Sequence, residues 1–190
     1  MLFAAVVVGA ASAGCATPAS HLAALPQRSA DPALVARARL EPCPRTAGGR
    51  VSGGLPPVTL RCITGRGSVD LAGIRGPALV NIGWSGCAPC GREAPVLQRF
   101  SAAAAGRVAV LGVDVEDPDS GLHFAIAAGV HYPMASDPHE LVKDAGLVRA
   151  YPVTYLVDAD GRVAATRYRV YGSVDAVRAD VRHYLGVAVP

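Results

Sequence analysis

Cys87 and Cys90 are the residues of this chain whose type and spacing carry chemistry most directly. A dithiol that cycles with its disulfide needs two sulfurs able to bond without backbone movement. Two intervening residues in the first turn of a helix provide that separation. The unpaired N–H groups and dipole at the start of such a helix favour an anion, so the Cys87 thiol ionises more readily than a free cysteine. Cys90, a turn inside, is expected to be the less exposed sulfur. Cys87 is then the nucleophile towards a substrate disulfide, and Cys90 resolves the mixed disulfide. Pro89 fits a first helical turn, where no N–H is required. The competing use of such a pair is half of a zinc site, which needs two further ligands. Cys43 and Cys62 are widely spaced and no close His pair stands near them, so no metal is expected.

The elements around the pair can be read from pattern. Val58 to Ile63 alternates and is rich in β-formers, a first strand. Ala78-Leu79-Val80-Asn81-Ile82 suits a strand buried on both faces. After the cysteines, Glu93, Val96, Leu97 and Phe100 recur at helical spacing, with Pro95 expected to kink that helix. Glu93 itself reads most simply as a solvated helical carboxylate. Val108 to Val115 is another buried strand, and His123 to Ala128 and His139 to Ala145 are helical. Val153 to Val157, a turn at Asp158-Ala159-Asp160-Gly161, and Arg162 to Tyr171 form a hairpin. Ser173 caps a last helix with Val174, Val177, Val181 and Tyr184 or Leu185 inward. This order implies an α/β fold, a central sheet covered by helices on both faces, with right-handed crossovers between parallel strands.

Three other cysteines remain. Leu2 to Ala13 is apolar, of signal-peptide length and too short to span a bilayer. Ser12-Ala13-Gly14-Cys15 resembles a lipobox, which makes Cys15 a lipidation site and residues 1–15 a leader; Ala11-Ser12-Ala13 equally suits ordinary signal cleavage and a secreted chain. Residues 16–42, rich in Ala, Pro, Ser and Arg, read as a tether with a short helix around Pro32–Arg39, and residues 43–190 as the folded domain. Outside the cytoplasm disulfides persist, and Cys43 and Cys62 are expected to form a structural bridge worth about 3 kcal/mol. A second redox pair and free buried thiols are the alternatives.

The formal charge of +3 is small and scattered, with Lys143 the only lysine, so a nucleic-acid partner is not expected. His123, His131 and His139 read as surface or packing residues. Asp114, Glu116, Asp117 and Asp119 read as a solvated acidic loop, since calcium-loop spacing is missing.

Residues 55–186 resemble the TlpA/ResA-like branch of the thioredoxin family, the membrane-tethered bacterial thiol–disulfide oxidoreductases. The resemblance rests on Val69-Asp70-Leu71 with Arg75-Gly76, Val80-Asn81, Cys87-Ala88-Pro89-Cys90, Glu93, Pro95, Val110 to Asp114, and Tyr151-Pro152-Val153-Thr154-Tyr155-Leu156-Val157-Asp158 with Gly161. It implies a thioredoxin-like fold, a mixed central sheet flanked by helices, and an extracytoplasmic enzyme that needs no cofactor. It implies that Pro152 is a cis-proline facing the redox pair, with Tyr151 backbone groups open to an extended substrate. Glu93 becomes a participant in proton transfers at the cysteines, and Asn81 stands where cytoplasmic thioredoxin has a buried aspartate. The implied direction is reduction, with protein thiol substrates such as apocytochrome c, a membrane electron donor of the thiol-transporting type, and membrane attachment through a lipid anchor. A net disulfide-forming oxidant and a Cu(I) chaperone are the rival functions. The chain departs from the pattern at Gly86, where the family has an aromatic residue, and at Tyr151, where a small or β-branched residue is usual. Trp84 is assigned to the docking surface, and Tyr151 is expected to fill part of the space left by Gly86.

Overall fold

The computed structural model describes residues 28–46 and 48–190; Cys15 and the leader lie outside the described residues. Three parallel strands form the centre: β3 (Ala78–Gly83), β4 (Ala109–Asp114) and β5 (Met134–Ser136). Helix α2 (Ala88–Ala104) links β3 to β4, and α3 (Pro118–Ala128) links β4 to β5. On one side, β1 (Thr59–Cys62) and β2 (Ser68–Asp70) extend the sheet antiparallel from β5. On the other, the hairpin of β6 (Val153–Val157) and β7 (Val163–Arg167) extends it antiparallel from β3. The order is β2-β1-β5-β4-β3-β6-β7.

The alternation of each strand divides the apolar side chains between two faces. Leu79, Val110, Met134 and Leu156 join Val96, Leu97 and Phe100 of α2, Leu122 of α3 and Val177 and Val181 of α5 (Val174–Leu185). Val80, Ile82, Leu111, Val113, Val153 and Tyr155 face the other way. They meet the turn at Leu71–Gly73 and Leu141 and Val142 of the single-turn α4 (Leu141–Asp144). The long helices thus gather on one face, and of the expected cover on the other only the short α4 and the 71–73 turn are found. Ser173 caps α5 by accepting from the Ala176 N–H at 3.2 Å.

Four further expectations change. The segment before Cys43 is not a tether throughout, because α1 (Pro32–Ala38) buries Leu34 and Ala38 in the core shared with α3. The three-residue β5 is too short for periodicity to reveal, although it carries the parallel pairing to β4. The strand read from Arg162 to Tyr171 ends at Arg167, because the following residues leave the sheet to bond α2 and α5. The acidic stretch is ordered: Asp117 caps α3 by accepting from the Asp119 and Ser120 N–H groups, and Asp119 pairs with Arg28 at 2.7 Å. Asp117-Pro118, a cap residue followed by a first-turn proline, was the local signal for that helix start.

Candidate active site

The turn Trp84–Cys87 carries the chain from β3 into α2, with the Cys87 N–H donating to the Trp84 carbonyl at 3.0 Å. Cys87 is the N-cap of α2, and its sulfur accepts from the Cys90 N–H at 3.1 Å. The two sulfurs are joined at 2.14 Å. Cys90, at 4% exposed against 6% for Cys87, is the less exposed sulfur as expected, though the margin is small. What distinguishes Cys87 is its place at the positive end of α2. The helix runs on through Pro95.

Gly83 lies directly under the pair, and a Cβ there would stand 3.0 Å from Cys90 Sγ. Beside it, Ile82 pairs with Val153, which brings Pro152 to the level of Gly83, and the Tyr151–Pro152 bond is cis. The space at Gly86 is taken by Trp84, since a Gly86 Cβ would fall 2.2 Å from the indole. That corrects the expectation for Tyr151 and accounts for the missing aromatic residue before Cys87. Trp84 is 38% exposed beside the disulfide. Tyr151 is half-buried, and its hydroxyl has no partner among the described residues.

Glu93 is not a solvated carboxylate. It is fully buried; Oε2 accepts from Asn81 Nδ2 at 2.8 Å and Oε1 from the Tyr171 N–H at 2.8 Å. Asn81 Nδ2 also donates to Thr154 Oγ1, 2.9 Å away on the neighbouring strand. Burial pushes the Glu93 carboxyl above its ordinary value, opposed by those two hydrogen bonds. Tyr171 is held from its other end as well, its hydroxyl donating to Asp180 at 2.8 Å, while Arg167 and Arg169 also bond Asp180. Glu93 therefore pins the loop after β7 to α2.

Sequence reasoning missed Asp114. It is 2% exposed at the end of β4, paired in register with Gly83, and lines a cavity of about 20 Å³ together with Cys90, Trp84 and Asn81. Burial, reinforced by the carboxylates of Glu116 and Asp117, raises it to about 7 against the Glu116 N–H bond that lowers it. Glu116 accepts from Ser85 Oγ, tying the acidic loop to the turn before Cys87.

Away from this site, Cys43 and Cys62 are joined at 2.15 Å, closing a separation of 19 residues onto β1. His123, His131 and His139 are exposed. Among the described residues no group of three His, Cys, Asp or Glu side chains is placed to hold a metal ion. No helix there is long and apolar enough to cross a membrane. A second cavity of about 690 Å³, between Pro42, Pro44, Arg75 and the end of α2, touches none of Cys87, Cys90, Glu93 or Asp114.

The strand order and the Cys-x-x-Cys turn at the start of α2 define a thioredoxin-like fold. The chain belongs to the AhpC/TSA family, whose model matches residues 54–166. It is similar to a curated thiol:disulfide interchange protein DsbE homolog of Paracoccus denitrificans, 38% identical over 90 residues that make up 46% of this chain and 48% of that protein. The chain thus spans about half the length of that relative. In structure it is similar to a secreted Mycobacterium tuberculosis disulfide oxidoreductase homologous to E. coli DsbE, with TM-score 0.57 and 21% identity over 67% of this chain and 96% of that one. A thioredoxin-family thiol:disulfide interchange protein from Chlorobium tepidum matches with TM-score 0.57 and 21% identity over 74% of this chain and 100% of that one. These two likenesses show the fold.

Proposed function

We propose that this chain exchanges its Cys87–Cys90 dithiol and disulfide with protein substrates outside the cytoplasm, and does so as a reductase. The observation that carries the reading is the Cys87–Cys90 bond at the start of α2, level with cis-Pro152 and beside the exposed Trp84. In the reduced protein the Cys87 thiolate attacks a substrate disulfide and releases one substrate sulfur as a thiolate. The Cys90 thiol then loses its proton, attacks Cys87 Sγ, closes the intramolecular disulfide and expels the second substrate thiolate. An extended substrate segment lies across Trp84 and bonds the backbone of Tyr151. Oxidised thiols of exported proteins, apocytochrome c among them, are the substrates of this reading, and a membrane thiol-transporting donor returns the electrons. Lipidation at Cys15 would hold the domain at the membrane, with residues 1–15 as its leader. Cys43–Cys62 serves as a static bridge.

The test is trapping. Cys90→Ser should accumulate mixed disulfides through Cys87, because the attacking thiol remains and the resolving one is gone. Adducts that need Cys90 and survive loss of Cys87 would reverse the two roles. The direction is read from the reduction potential of the couple: a value near that of thioredoxin, about −270 mV, supports the reductase, and one near that of DsbA, about −120 mV, makes it an oxidant. Under reduction just sufficient to open Cys87–Cys90, mass spectrometry should still find Cys43 and Cys62 joined.

A further inference from the structure

Dithiol exchange requires a proton to reach or leave Cys90 inside the protein, and two buried carboxyls stand on the α2 side of the sheet. Glu93 has both oxygens committed as acceptors, one to Asn81 and one to the Tyr171 N–H. Asp114 is arranged differently. Its Oδ1 accepts from the Glu116 N–H at 2.9 Å, and no described residue donates to Oδ2. It sits beside Gly83 in the parallel ladder, and Cys90 Sγ rests on Gly83, 3.0 Å from where a Cβ would be. Neighbouring strands lie about 4.8 Å apart, so the backbones of Gly83 and Asp114 are one strand spacing apart, and the Asp114 and Cys90 side chains line the same cavity. The cavity of about 20 Å³ that both side chains line has the room one water molecule requires. Helix α3 closes over the carboxyl at Gly121, where a Cβ would come within 3.3 Å of Asp114 Cγ.

We propose that Asp114 gives Cys90 its proton when the Cys87–Cys90 bond opens and takes it back when the mixed disulfide is resolved, through the cavity the two side chains share. The proposal rests on the exchange reading above. In the opening direction an incoming thiolate bonds Cys87 Sγ, the Cys87–Cys90 bond breaks, and the electron pair leaves on Cys90 Sγ, which takes the proton of the Asp114 carboxyl. In the closing direction Asp114 carboxylate accepts the Cys90 thiol proton as Cys90 Sγ bonds Cys87 Sγ, and the substrate departs as a thiolate. A carboxyl raised to about 7 holds and releases a proton at working pH. The titratable groups facing it are Glu116 and Asp117 on its own loop, Asp137, whose N–H donates to the Asp114 carbonyl, Tyr151 before Pro152, and Tyr132 and Cys90 across the cavity. None of them is a cation, and from α3 the neighbours are Gly121 and Phe124.

Trp84 is the only tryptophan and lines the cavity, so its fluorescence reports the state of the pair. The experiment reduces the oxidised full chain with dithiothreitol in single turnover from pH 5 to 9, comparing wild type, Asp114→Asn and Glu93→Gln so that the ionisation of the reductant cancels. Wild type should carry a step in rate near pH 7, the value to which Asp114 is raised. Asp114→Asn should lose that step and run about tenfold to a hundredfold slower at pH 7, while Glu93→Gln keeps the step. An Asp114→Asn profile that superimposes on wild type overturns the proposal and leaves the exchange reading intact. A wild type that cannot pass electrons from dithiothreitol to a protein disulfide sinks the exchange reading itself. Should Asp114→Asn fail to fold, the Asp114 carboxyl carbon is titrated by NMR in wild type: its midpoint should differ between oxidised and reduced protein, and identical midpoints overturn the proposal.

Discussion

Glu93 and Asp114 are both buried acids on the α2 side of the sheet, and their surroundings set them apart. Glu93 joins three regions distant in sequence: it accepts from Asn81 of β3 and from Tyr171 after β7, and it stands on α2 itself. Asp114 accepts one backbone bond and otherwise faces the small cavity beside Cys90. A buried carboxyl that accepts on both oxygens from separate elements fastens them together, and losing it leaves those donors unpaired. One with an oxygen to which no described residue donates, in a cavity it shares with Cys90, is the carboxyl we propose for proton exchange. Both are buried; what differs is the number of donors each accepts from.

The largest expected effect lies on the fastening side. Glu93→Ala leaves the Tyr171 N–H and an Asn81 N–H unpaired in the interior and opens a void, and should cost about 3–5 kcal/mol in urea unfolding with the disulfides intact. A cost under about 1 kcal/mol would remove the distinction between the two acids.

Next comes the pH dependence of stability. Asp114 ionises at 3.8 in the unfolded chain and at about 7 in the fold, so the native state binds the extra proton between those values. Its contribution is fully present below pH 4 and is lost as pH rises to about 7, at most about 4 kcal/mol, with the raised Glu93 acting in the same direction. Asp114→Asn should flatten this slope, equal wild type near pH 4 and be the more stable protein at pH 8. Unfolding curves at pH 4, 6 and 8 check it, and a variant that keeps the wild-type slope would place the titration elsewhere.

Glu93→Gln is a milder probe. It keeps the shape but turns one acceptor into an NH2 group facing a donor, so a loss of about 1–2 kcal/mol is expected. The smallest effect is at Gly121. An added Cβ would meet Ile63 Cδ1 at 2.5 Å and Asp114 Cγ at 3.3 Å. The flexible end of Ile63 can give way and alanine favours the helix, so Gly121→Ala should cost about 1 kcal/mol or less. It should nevertheless move the Asp114 titration, because it tightens the packing over that carboxyl.

Sequence by itself determined the parts whose cause is local. Cys87 and Cys90 share the first turn of α2 because two residues separate them and Pro89 suits that turn. Ser173 capping α5, the β6–β7 hairpin and the buried β3 are written in neighbouring residue types, which act over a few positions of chain. The tertiary structure alone decided what depends on partners far along the chain. Glu93 looks like an exposed helical acid until Tyr171, 78 residues later, folds back onto it. Asp114 looks like the first residue of an acidic loop until β3 sets Gly83 beside it and α3 closes at Gly121. Trp84 fills the place of the absent aromatic because the turn folds its ring over Gly86. Periodicity reports which face of an element is apolar; whether a polar side chain on that face meets water, a donor or a reacting sulfur is set by elements that only the folded chain brings together.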